Sequence, residues 1–545
     1  MNLLYPKHIP DNTKTVLPQE GFFEDIRLEQ LAEALSSPEY GIKITQEQLY
    51  KLFTSEPETL NFRRQIITAL TEDDSLINCF EEVYSDLNKY SNLLREERIA
   101  ENKLRKRIIQ LHIIRMFDKI TGMCIKYFST ASNKVTYAFS ENITDYRNRG
   151  EIDETIKKLN KINTDWINRR NVVIGVNITP NITAQTIKMF DYNDRDNSGI
   201  NIFEYDISEQ SGDKSNELYR IGNYKTNING GNAHSLGTLI LHDIKKVNRK
   251  SVNALKSAFT YDSEYFSELG GLCEAFAFYL GVISLIKKLK VRGFSLCIPD
   301  LAEGRYSFKA KGLYSLELAL NPEIAPVLND IDLDKQFYTV TGGANSSGKT
   351  EFLISVVQAQ FMAQLGMPVP AGELTIVPVK RIFTLFSKGE SKILEDSRMG
   401  VEIKNLKEIL QNADERSLVL LNEPMTSTSA EEGVQICRDI TEELVKRSAS
   451  GFIVTHYYEL YDMLVQTISP QIIGSIMTVT LSGESGEGSK RTYKVIEKKP
   501  EFKSFALEMA DIHKISFKAF VKSAAQKGLK LKFTGLQEES GRGIY

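Results

Sequence analysis

Cysteine is scarce in this chain of 545 residues. Cys79, Cys124, Cys273, Cys297 and Cys437 are the five, and no two of them form a C-x-x-C pair. That excludes a disulfide framework and a zinc site built on paired cysteines, and it fits a reducing compartment. Long apolar runs are missing too. The longest, residues 272–286, contains Glu274 and falls short of the roughly 20 residues a membrane span needs. It is expected to be a buried helix, with no membrane as partner. The N-terminus soon turns polar and lacks the pattern of a signal peptide, so a cytoplasmic location is expected. Neither sign of charge dominates: 68 Lys and Arg stand against 71 Asp and Glu, a net charge of -3. Such a chain does not coat nucleic acid by bulk charge, and any DNA contact has to rest on a local basic face. The length predicts two to four domains with sizeable cores.

Against these absences stands one dense motif. Residues 343–350 read GANSSGKT and fit G-x-x-x-x-G-K-[ST] without a mismatch. A strand candidate over 336–340 precedes the motif and a helical pattern beginning at Glu351 follows it, which is the context a phosphate-binding loop requires. Gly343, Ala344, Asn345, Ser346, Ser347 and Gly348 would offer backbone N–H groups to a phosphate in front of a helix N-terminus. Lys349 would reach the β- and γ-phosphates of ATP, and the Thr350 hydroxyl would hold Mg2+.

Two further strands complete the pattern. Residues 417–421 form a short apolar run of the buried-strand type that ends in Asn422 and Glu423. Residues 451–454 form another, ending in Thr455 and His456. An acidic residue at such a strand end holds the Mg2+ shell, and a second carboxylate beside it can polarise the attacking water. Here Asn422 would act through water, Glu423 would be the general base and a further metal contact, and His456 would sense the γ-phosphate.

These residues resemble the MutS family of ATPases. GANSSGKT resembles its G-P-N-M-G-G-K-S loop. Residues 369–371 with 379–384 resemble V-P-A … D-R-I-F-T, residues 397–403 resemble S-T-F-M-V-E-M, and residues 455–460 resemble T-H-Y-F-E-L. Tyr493 and Lys494, followed by 504–510, resemble Y-K-L … S-Y-G-I-x-V-A, and residues 327–330 resemble the segment that packs near adenine. The resemblance runs from about 290 to 515. It implies an α/β P-loop NTPase domain of the ABC type at the C-terminal side, preceded by a mostly α-helical core and lever domain with a small β insertion. It also implies ATP and Mg2+ as ligands, DNA as a partner, and a homodimer or a heterodimer with a relative, in which Ser397 would reach the partner's γ-phosphate. Domain limits expected on this basis are an N-terminal segment 1–45, a helical core and lever 46–295 with a clamp-like insertion at about 170–250, an ATPase domain 296–515 and a helical tail 516–545.

The chain also departs from the family. Asp-Glu is the family's strand end, and Asn422 brings an oxygen without charge, so Mg2+ binding should weaken and hydrolysis should slow. Residues 425–429 replace G-R-G-T-S-T. The aromatic residue expected against adenine would fall near Pro326 and Val327, and neither is aromatic. Ahead of the P-loop, the sequence reads as helical core plus one insertion, without mismatch-binding and connector domains. Phe22, Phe23 and Glu24 imitate the F-x-E mismatch wedge but read better as the start of an amphipathic helix.

Periodicity makes most of the first half helical. Leu104, Ile108, Leu111, Ile114, Phe117 and Ile120 form one stripe, and 93–128 could be a single lever helix about 50 Å long. Arg95, Arg98, Lys103, Arg105, Lys106 and Arg107 alternate there with acidic residues, as on a solvated helix face. Residues 171–178, 185–190 and 200–205 are strand candidates. Lys245, Lys246, Arg249 and Lys250 follow them and could meet phosphates. Residues 194–205 begin like a calcium loop but carry Tyr205 where Glu is required, and are read as a turn. The expected function is therefore a MutS-like ATPase acting on duplex or branched DNA. The alternative is an ATP-gated dimeric switch acting on a protein, which Asn422 and the acidic balance favour. A P-loop kinase is disfavoured by Ser397 and His456.

Overall fold

The computed structural model describes residues 3–6, 19–129, 134–162, 164, 167, 171–178, 184–193, 221–225, 245, 248–304, 307–332, 338–342, 347–386, 395–426, 428–457, 459–481 and 490–499. The chain forms two compact units. One consists of residues 1–3 and 68–280, the other of 4–67 and 281–545.

The second unit is built on a six-stranded sheet. Its strands are β7 (Tyr338–Gly342), β9 (Arg381–Phe386), β10 (Ser417–Asn422), β11 (Ser450–Val454), β12 (Ile473–Leu481) and β13 (Lys490–Glu497), in the order β13-β12-β7-β11-β10-β9. Every pairing is parallel except β12 with β13. All residues of β10 and β11 are buried, which is why both segments read as unbroken apolar runs rather than alternating ones. Val340, Val419, Leu421 and Ile453 pack with Ile409, Cys437, Ile440 and Leu464 from the helices Glu395–Asn412, Ala430–Lys446 and Leu460–Thr467. The helix Lys349–Leu365, buried along nearly all its length, meets the same sheet, with Phe352 edge-on to Phe452.

A second sheet of mixed direction joins β4 (Asp300–Leu301), β8 (Glu373–Ile376), β5 (Phe308–Leu313) and β6 (Asn329–Asp332), in that order. The N-terminal segment belongs to this unit as well. Gln19 Oε1 accepts from Thr384 N at 3.2 Å and Asp25 Oδ2 from Phe386 N at 3.3 Å, so side chains occupy donors on the outer edge of β9. Phe22, 3 % exposed, lies in the short helix Phe22–Asp25 against the ring of Tyr50. A buried phenylalanine cannot wedge into a duplex, as the helix reading anticipated.

The first unit is helical, with one small sheet. The expectation of a single lever helix over 93–128 is corrected. Asp74–Ile99 and Lys103–Phe128 are separate helices, because Ala100 is extended and the Asn102 side chain caps the second helix through Leu104 N and Arg105 N. Cross-contacts pair Glu97 with Lys106 and Gln110, Asp86 with Lys119, and Glu82 with Tyr127. Those contacts define an antiparallel helical hairpin. Arg107 sits 3.6 Å over the Phe259 ring and donates to the Leu255 and Lys256 carbonyls at the end of the helix Arg249–Ser257, so it is a structural cap rather than a solvated charge. Strands β1 (Asn171–Ile178), β2 (Ala184–Asn193) and β3 (Ile221–Lys225) form an antiparallel sheet in the order β1-β2-β3. The strand candidate 200–205 and the loop 194–200 lie outside the described residues.

The stretch Ser263–Val291 is long and apolar enough to cross a membrane, which the shorter run 272–286 did not suggest. Of its most apolar window, 67 % is buried within the protein, and Phe276, Tyr279 and Leu280 are fully enclosed.

Candidate nucleotide-binding site

Three parallel strands end level with one another. Thr341 of β7 is paired with Val454 of β11, and Val454 with Asn422 of β10. Whatever follows these residues therefore gathers at the carboxyl edge of the sheet, where ligands of open α/β sheets bind. After Val454 come Thr455 and His456, and Thr455 N donates to Thr341 O at 3.2 Å. After Asn422 comes Glu423, whose N–H donates to Val454 O at 2.8 Å.

The register brings the expected chemistry together. His456 Nε2 lies 2.9 Å from Glu423 Oε1. The Thr350 hydroxyl donates to Asn422 Oδ1 at 3.3 Å. Lys349, 4 % exposed, starts the helix that follows the loop. Burial pushes its ammonium below the usual lysine range, and the charge of Glu423 opposes that shift. Glu423 is held below its ordinary value of 4.5, first by the hydrogen bond from His456, against the opposing effect of burial. Its φ of 53° is left-handed, a conformation non-glycine residues seldom adopt and one that clusters at functional sites.

A cavity of about 520 Å³ opens from this corner. Gly348, Lys349, Thr350 and Glu423 line its polar end, and Leu313, Leu318, Ile324, Pro326, Val327 and Phe352 its apolar end. Pro326 and Val327 stand where the resemblance placed the adenine site. An aromatic side chain reaches the cavity from another element. Tyr493, half-exposed, lines the cavity from β13. Its ring reaches so near Gly348 that a Cβ there would sit 3.1 Å from Tyr493 Cδ1, and Gly348 has a φ of 93°. The positive φ favours glycine at 348, and a side chain there would also push the Tyr493 ring aside by a few tenths of an ångström.

Tyr493 is aimed by a bulge. Pairing between β12 and β13 slips between Thr478 and Thr480, and Tyr493 has a φ of 56°. The Asn329 amide holds the bulge, donating to Tyr493 O at 3.3 Å and accepting from Val495 N at 2.9 Å. The sequence reading used Tyr493 only as part of a family pattern. Its place in the cavity depends on a register slip that no spacing reveals.

The loop after Glu423 is clamped from two sides. Met425, φ 61°, donates its N–H to Glu402 Oε1 at 2.6 Å and accepts from the Tyr457 hydroxyl at 3.0 Å. Room for that hydroxyl exists because residue 433 is glycine; a Cβ would lie 2.1 Å from it. Glu402 sits on the helix Glu395–Asn412, which also carries Ser397.

Of the residues expected at the site, Ser347, Gly348, Lys349, Thr350, Asn422, Glu423 and His456 are described, and from Gly348 onward they converge as above. Gly343, Ala344, Asn345 and Ser346 lie outside the described residues, as does the side chain of Ser397.

Residues 339–532 match the family MutS domain V. The DNA mismatch repair protein MutS of Thermotoga petrophila is 32 % identical over 221 residues, which are 40 % of this chain and 27 % of that protein. The MutS protein homolog 4 of Homo sapiens is 28 % identical over 209 residues, 36 % of this chain and 22 % of the relative. The MutS protein homolog him-14 of Caenorhabditis elegans is 34 % identical over 136 residues, 25 % of this chain and 16 % of the relative. The chain thus spans about a quarter of the length of the curated relatives it matches. The stretch 339–532, which carries the strand-end Glu423–His456 pair, is therefore a domain V of the MutS type.

Proposed function

We propose that the chain binds and hydrolyses ATP as a dimer that acts on duplex or branched DNA, in repair or recombination and in the cytoplasm. The observation that carries the reading is the Glu423–His456 pair at 2.9 Å, whose Glu423 lines the same cavity as Lys349 and Thr350. In this reading the base of ATP occupies the apolar end beside Tyr493, and Lys349 meets the phosphates. A carboxylate kept ionised by a neighbouring imidazole is a competent acceptor for the proton of an attacking water. His456 orients that carboxylate and stands beside the γ-phosphate. The Thr350 hydroxyl, Glu423 and, through water, Asn422 are the oxygen groups that would hold Mg2+, and their mutual contact at 3.3 Å between Thr350 and Asn422 fits such a set. Bound there, Mg2+ would neutralise phosphate charge.

DNA enters the proposal through the relative from Thermotoga petrophila, a DNA mismatch repair protein, and the dimer through Ser397. Lys349→Ala should abolish ATP binding, and wild type should bind duplex with an affinity that falls steeply with salt. Failure of ATP to bind wild type contradicts the nucleotide reading; salt-insensitive or absent duplex binding contradicts the DNA reading. One observation favours a second reading. Asn422 is uncharged where an acid would strengthen the metal site, which suits a nucleotide-gated switch that binds ATP, turns it over slowly and engages a protein.

A further inference from the structure

The cavity wall holds a charge that does not serve ATP. Glu351 follows Thr350 directly and lines the same cavity. A carboxylate beside the positive end of the helix Lys349–Leu365 competes with a polyphosphate for that end. Both of its oxygens are occupied. Ser315 Oγ donates to Oε1 at 2.6 Å, and Arg27 Nη1 donates to Oε2 at 2.9 Å. Arg27 also pairs with Glu317.

Arg27 comes from the far end of the sequence, 324 residues away. Its backbone is left-handed, φ 51° and ψ 48°, at the start of the helix Leu28–Leu35. The residue before it is fixed on the same helix: Gln358 Nε2 donates to Ile26 O at 2.9 Å, with both residues buried. Glu351 and Gln358 are seven residues apart, two turns along one helix face. The corner at 26–27 is therefore docked on the nucleotide helix at two points, and the outer edge of β9 is occupied by Gln19 and Asp25 of the same segment.

We infer that Arg27 is a positioning residue of the nucleotide pocket. Shared with Glu317, it offsets the charge of Glu351 and holds that carboxylate against Ser315, so that docking of the N-terminal segment and binding of nucleotide favour each other. The inference rests on the nucleotide reading above and adds a part of the pocket that lies outside the stretch matching domain V. Linkage is reciprocal: whatever the docked segment adds to ATP affinity, ATP returns as stabilisation of docking.

The test is ATP titration of the full chain by calorimetry, as wild type, Arg27→Ala, Glu351→Gln and the double variant. Arg27→Ala should weaken ATP binding about five-fold, the scale of a bare carboxylate at a partly screened site. Glu351→Gln in the Arg27→Ala background should return affinity to near wild type, which a merely structural role for Arg27 would not do. Equal affinity of wild type and Arg27→Ala, or a double variant as weak as Arg27→Ala, overturns the inference while leaving the nucleotide reading intact. A wild type that binds no ATP removes both. Hydrogen exchange on the wild-type chain covers the case in which Arg27→Ala does not fold. Saturating ATP should slow exchange over residues 22–35, and unchanged exchange there overturns the linkage.

Discussion

At the scale of residues, the account turns on Glu423 and its neighbours. Its carboxyl is held below the ordinary 4.5, chiefly by His456. A depressed carboxylate is charged at neutral pH, and the favourable pairing is lost only as pH falls through the folded-state value, below 4.5. His456→Ala removes the largest cause of the depression and leaves burial to push the group upward. The acid limb of kcat/KM for ATP hydrolysis should therefore move to higher pH in His456→Ala. A limb that stays in place or moves to lower pH contradicts this electrostatic account. A second prediction concerns packing. Gly433→Ala places a methyl 2.1 Å from the Tyr457 hydroxyl, which must abandon the Met425 carbonyl. The variant should lose about 1–3 kcal/mol in denaturant unfolding, as an overpacked site does. Unchanged stability would mean that the loop after Glu423 is not held by Tyr457.

At the scale of elements, the carboxyl edge of the sheet was legible because β10 and β11 are wholly buried and so appear as apolar runs ending in chemistry, while β7, which reads YTVTG, was marked by the glycine-rich motif after it. The helical hairpin was not. Apolar spacing continues through 99–104, and only the capping Asn102 betrays the break. Tyr493 was hidden by its bulge, and Arg27 by 324 residues of intervening chain. Neither a cap, a register slip nor a distant ion pair leaves a periodic signal. One buried cation ties several elements of the second unit together. Arg63, fully buried, donates to the carbonyls of Leu4 at 2.9 Å, Leu52 at 2.6 Å and Leu365 at 3.1 Å. Gly366, with a φ of 77°, ends the nucleotide helix beside it and has no room for a side chain. Arg63→Met leaves these carbonyls without their donor and should cost about 3 kcal/mol or more, since each unpaired buried polar group costs about 1–3 kcal/mol. A thermal or denaturant melt would measure it, and a neutral result would refute the role.

On the scale of the whole molecule, the reading requires two copies and a nucleic acid. If Ser397 serves the opposite site, a hydrolysis-blocked chain should accumulate as an ATP-bound dimer. Sedimentation of Glu423→Ala should show dimer increasing with ATP and not with ADP; a monomer under both conditions would leave each site to work alone. Bulk charge of -3 gives DNA no general attraction to this protein. Duplex binding should therefore come from a local set of phosphate contacts, and the steepness of its salt dependence counts them.

The most direct measurement is steady-state ATP turnover by wild type, Glu423→Ala and Asn422→Asp, each with and without linear and branched duplex. The account predicts DNA-stimulated turnover in wild type, a loss of about 100-fold or more in Glu423→Ala, and equal or faster turnover in Asn422→Asp. Wild type that binds ATP yet shows no Glu423-dependent turnover with any DNA would contradict it.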